Sequence, residues 1–116
     1  MIKMLNPKGT ITITSDVFSN IAGDAAMRCF GVKGMAGKSK ENGIYQLLRR
    51  ESMSKGVFVA YNDDGSTSIT LHIVVEHGVN IAAACQSIKS EVKYKVTEAT
   101  GVPVKDVEVF VDTMTI

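Results

Sequence analysis

The sequence predicts an α+β fold, a two-layer sandwich of order β-α-α-β-β-α-β with a mixed or antiparallel sheet covered by helices. Three observations lead there. "VFVAYNDDGSTSITLHIVV" alternates apolar residues on both sides of a turn. Ile81, Ala84, Cys85, Ile88, Val92, Val96 and Ala99 recur at helical spacing, and Val107, Val109 and Val111 alternate with Glu108, Phe110 and Asp112. Strands with one apolar face need a layer over it, and helices with one apolar stripe supply that layer.

The elements follow in order. Residues 1–8, "MIKMLNPK", read as an N-terminal tail, and residues 9–116 as a single domain. "TITIT" has the period of two of a short strand. Ser15 offers a hydroxyl N-cap and Asp16 a negative charge in the first turn. Val17, Phe18, Ile21, Ala22, Ala25, Ala26 and Cys29 then form one helical stripe, which Gly31 ends. Gly31 to Gly43, rich in glycine and lysine, reads as a loop. Ile44, Leu47 and Leu48 give a short helix with Arg49 and Arg50 in its last turn.

Val57, Val59 and Tyr61 alternate, "NDDGS" supplies turn chemistry, and Ile69, Leu71, Ile73 and Val75 alternate again, which is a hairpin. Asn80 caps the long helix, and Gly101 with Pro103 stops it. Phe110 and Val74, on the face opposite the apolar stripe of their strands, raise the expectation of partial burial there by a partner. Val109 and Phe110 of the closing strand, with the exposed side of the long helix, are the candidate protein contact.

Composition narrows the functional classes. At 116 residues, with 45% hydrophobic and 22% charged content, the chain matches an ordinary globular domain. The net charge of +1 gives no global field toward nucleic acid or anionic lipid. The charge is unevenly spread: residues 28 to 55 hold seven basic side chains against Glu41 and Glu51, and the rest holds ten acidic and six basic. No signal peptide or stretch of about 20 apolar residues is present, which favours a cytoplasmic protein. Cys29 and Cys85 form neither a disulfide framework nor a zinc spacing and read as buried, reduced thiols.

The run "CFGVKGMAGKSK" invites two ligand readings. A nucleotide P-loop needs a first glycine five residues before Gly37, and that position is Val32; the loop also follows a helix rather than a strand. In a KH domain a GxxG turn between two helices grips single-stranded nucleic acid, and "GVKG" from Gly31 to Gly34 has that form. The candidate binding loop accordingly comprises Arg28, Gly31, Lys33, Gly34, Lys38 and Lys40. It defines the alternative function, a KH-like nucleic-acid-binding module. His72 and His77 lack a thiolate or carboxylate at zinc-like spacing. Asp63 and Asp64 are turn residues, and Asp24 and Glu91 sit on polar helix faces. No catalytic, cofactor or metal constellation is legible.

Several segments together are familiar. "GTITITSDVFSNIAGDAAMRCFGVKGMAGK", "SKGVFVAY" and "ITLHIVVEHGVNIAAACQSIKSEVKYKVTEATGVPVKDVEVFVDTM" resemble the blocks of the bacterial alkaline shock protein family, also called the general or envelope stress response family. The resemblance runs from Gly9 to Met114 and departs at His77, where the family often carries an aromatic residue. It implies a small cytoplasmic bacterial protein, not an enzyme, acting in cell-envelope homeostasis through protein–protein contacts. The partners implied are further copies of the chain or a membrane-anchored protein that holds it at the inner membrane face. The resemblance brings no catalytic residue and no cofactor.

Overall fold

The computed structural model describes residues 2–6, 9–38, 45–47 and 56–115. Its elements are β1 (Ile2–Asn6), β2 (Gly9–Ile13), α1 (Ser15–Met27), β3 (Val32–Lys38), β4 (Tyr45–Leu47), β5 (Val57–Tyr61), β6 (Thr67–Val75), α2 (Ile81–Thr100) and β7 (Val104–Met114). The α+β class and the mixed sheet covered by helices are as expected.

β6 is the axis of the sheet. β7 runs parallel along its full length, from Thr67 opposite Val104 to Val75 opposite Met114. The other side of β6 is shared by two antiparallel strands: β5 lies against Thr67–Leu71, and β3 lies against Ile73–Val75. They meet at Gly56. A Cβ there would lie 2.9 Å from the Ala36 carbonyl oxygen and 3.2 Å from that of His72, so only glycine lets the backbones come this close. β4 extends the sheet antiparallel to β3.

Four expectations about element boundaries are corrected. Residues Ile2–Asn6 of the presumed tail form β1, which pairs antiparallel with β2 as a separate two-stranded hairpin. Val32–Lys38 of the presumed loop is strand, because the free side of β6 beyond β5 supplies a ladder for it. Tyr45–Leu47 of the presumed short helix is also strand, paired with Ala36–Lys38; the rest of that segment lies outside the described residues. At the start of α1 the cap position is Thr14 rather than Ser15, and no side chain caps it.

The helical layer follows its stripes. Phe18, Ala22, Ala25 and Ala26 of α1 and Ile88, Val92 and Val96 of α2 share one buried core with Met35, Val57, Ile69, Leu71, Ile73 and Val75, and Ala84 of α2 is buried too. The α2 stripe advances in steps of four, so Thr100 is buried, and Ile81 and Ala99, expected in the stripe, are exposed. Cys29 and Cys85 are half-buried free thiols rather than fully buried ones. Asn80 Oδ1 accepts the Ala83 amide at 3.1 Å, and Gly101 closes the helix at φ 73°.

Candidate protein-docking face

Alternation divides the residues of β5, β6 and β7 between two faces. Val57, Val59, Tyr61, Ile69, Leu71, Ile73, Val107, Val109 and Val111 belong to the helix-covered core. The opposite parity presents Phe58, Ser68, Thr70, His72, Glu108, Phe110 and Asp112 on the open face. Of the two residues expected to make a protein contact, Val109 thus packs inward and Phe110 faces outward. Val74 is 2% exposed, so it is already buried within the protomer.

The open face carries an aromatic cluster. Phe58 is 58% exposed and Phe110 44%. Between them sits His72, its ring stacked on Phe110 (centroids 5.0 Å apart, planes 10° apart) and meeting Phe58 edge-on at 5.5 Å and 87°. Asp112 Oδ2 lies 2.7 Å from His72 Nδ1. A carboxylate only accepts, so this contact places the proton on Nδ1 and fixes the ring plane. The histidine therefore braces two hydrophobic rings that remain open to a partner. Phe58, His72 and Asp112 had no local signal as a site, because His72 and Asp112 are forty residues apart. The parity of "VFVAY" and "VEVFVD", which puts a phenylalanine on the polar side of each strand, is the trace they leave in the sequence.

The candidate binding loop is dispersed. Arg28 Nε pairs with Asp24 Oδ2 at 3.0 Å on the same helix face. Gly31 (φ 88°) turns the chain out of α1, and its carbonyl accepts the Glu76 amide at 2.9 Å. Gly34 is buried in β3 opposite Val74. Lys33 is exposed, Lys38 ends β3, and Lys40 lies outside the described residues. "GVKG" is thus a helix exit running into a paired strand, not a turn between two helices, and the backbone clamp of a KH module is not formed.

The helical side offers one further feature. Phe30, 90% exposed, stands at the rim of a depression lined by Arg28, Cys29, Gln86, Ser90 and Glu91. The Cys29 thiol donates to the Ala25 carbonyl at 3.4 Å; burial, and then the nearby Glu91 carboxylate, push its pKa up. Such a thiol is a poor nucleophile at neutral pH. Among the described residues no three His, Cys, Asp or Glu side chains gather as a metal site, and no helix is long and apolar enough to cross a membrane.

The model of the alkaline shock protein 23 family, described by its cell envelope-related function, matches residues 3–116. The uncharacterized protein YloU of Bacillus subtilis is 32% identical over 111 residues, 95% of this chain and 92% of that protein. The uncharacterized protein Spy1614 of Streptococcus pyogenes is 34% identical over 111 residues, 95% of this chain and 91% of that one. Among solved structures, the copper form of the MamM CTD superposes with a TM-score of 0.51 at 16% identity over 87% of each chain, a likeness of fold.

Proposed function

Because this chain belongs to the alkaline shock protein 23 family, of cell envelope-related function, we infer that it is a non-enzymatic interaction module of the cell envelope. In this reading it works through protein–protein contacts at the open face of its sheet. One observation carries the reading: Phe58 and Phe110 stand exposed on the open face, braced by a histidine whose own ring is held by Asp112. Exposed aromatic groups on a rigid scaffold are the usual anchors of protein interfaces, since they bring large apolar area at small entropic cost. The partner is a further copy of the chain or a membrane-anchored protein that keeps it at the cytoplasmic face of the membrane.

The experiment replaces both rings. Phe58→Ser with Phe110→Ser removes apolar area from the surface and nothing from the helix-covered core, so the variant should keep its circular dichroism and melting behaviour. Purified from its host under mild cross-linking, it should lose the proteins or further copies that accompany the unaltered chain. Undiminished co-purification by a folded double variant overturns the docking reading.

A further inference from the structure

The rings do not stand alone on the open face. By register, Phe58, Thr70 and Glu108 form one cross-strand row, with Ser68 and Asp106 paired in the next. Ser68, Thr70, Asp106 and Glu108 line a shallow depression of about 400 Å³. The Asp106 and Glu108 carboxylates make no hydrogen bond or ion pair with another described residue. Asp112 is engaged by His72, and Lys105 acts on Asp64 in the β5–β6 turn. The exposed phenylalanines therefore adjoin two carboxylates that no cation within the described protomer answers.

This pairing selects among partners. The face of a phenyl ring attracts cations through its quadrupole, and a guanidinium can stack on a ring and still give two parallel hydrogen bonds to a carboxylate. A lysine ammonium, compact and strongly hydrated, loses more water for the same contact. A purely aliphatic or acidic segment would desolvate Asp106 and Glu108 without supplying a counter-charge, which is unfavourable. The geometry points to an arginine-bearing segment of a protein partner as the occupant of this face, with a guanidinium against Glu108 beside the exposed Phe110 ring and further positive charge toward Asp106. This assignment rests on the docking reading above and specifies its partner chemistry.

The test uses defined probes. Acetyl-Gly-Arg-Gly-Arg-Gly-amide is titrated into the isotope-labelled full chain and followed by amide chemical shifts, alongside the lysine and glutamate versions. The arginine peptide should move the amides of Phe58, Thr70, Glu108 and Phe110, the lysine peptide should move them less, and the glutamate peptide should not move them. Glu108→Gln with Asp106→Asn, which changes charge but hardly shape, should weaken arginine binding about fivefold, the scale of two exposed ion pairs. Added salt should weaken the unaltered chain's binding and leave that variant's nearly unchanged. Arginine shifts that are absent at millimolar peptide, fall on the helical side, or equal those of the glutamate peptide overturn the assignment. A photo-cross-linking residue at position 110, used in the host, separates the two readings. If it captures a protein while the arginine probe leaves the face unmoved, docking stands and the cationic partner falls; if neither responds, both fall.

Discussion

Single residues hold this fold at points the composition does not advertise. Gly31 is one. Its φ of 88° favours glycine, and a Cβ there would lie 2.7 Å and 2.8 Å from the two Val79 methyls. Gly31→Ala should cost about 2–4 kcal/mol by urea denaturation, combining left-handed strain with overpacking. Adding Val79→Ala should recover part of that loss, because it opens the crowded space. Asp64 makes a different prediction. The Ser66 hydroxyl at 2.6 Å and then the Ser66 amide at 3.0 Å donate to its carboxylate and hold its pKa below the ordinary value. A carboxyl lowered in the fold adds stability above the unfolded pKa and loses it as pH falls through the folded one. Thermal melts between pH 7 and pH 3 should therefore show a shallower acid decline for Asp64→Asn than for the unaltered chain. At this scale the open-face cluster was half legible: the parity of β7 exposes Phe110, whereas its bracing by His72 and Asp112 exists only once β6 and β7 lie side by side.

Among elements, those with a local cause were readable and those with a distant cause were not. The β5–β6 hairpin has its own turn, where the Asn62 amide binds the Ser66 carbonyl at 2.9 Å. Helix α2 has its own cap and stop. Asn80→Ala should cost about 1 kcal/mol, because it leaves the Ala83 amide without the side-chain acceptor; Asn80→Ser or Asn80→Asp should retain most of it, as chemical denaturation of the three variants would show. β3 has no such local cause. "VKGMAGK" contains two glycines and two lysines, residues that strands disfavour. Its strand conformation comes from pairing with Ile73–Val75 along its first half and with Tyr45–Leu47 along its second, which a reader of residues 32–38 alone cannot see. β1 was missed for a related reason, since its strand conformation shows itself in the pairing with β2 rather than in a strong alternating pattern of its own.

The whole molecule is a body with an appendage. Helices and main sheet share one core, against which Ile13 of β2 packs, while among the described residues β1 and β2 form a ladder with each other and with no other strand. A two-stranded hairpin is marginal in water by itself. Amide exchange should therefore be fastest in β1, with Leu71 and Ile73 of β6 among the slowest to exchange. The reverse order would mean that something covers the hairpin in solution. The class of fold was legible at this scale because apolar periodicity reports layers. The way strands share the two sides of β6 was not, because periodicity carries no information about neighbours.

That sharing has a consequence for synthesis. A growing chain emerges from the ribosome with β3, β5 and β6 complete while one entire side of β6 is still bare. Its parallel partner appears only after α2 has been made, so the central strand presents a long, apolar, unpaired edge for the time needed to translate some forty residues. Such an edge is a template for wrong pairing. The chain is thus most exposed to misassembly between the emergence of β6 and that of β7, and chaperone dependence should appear in that interval.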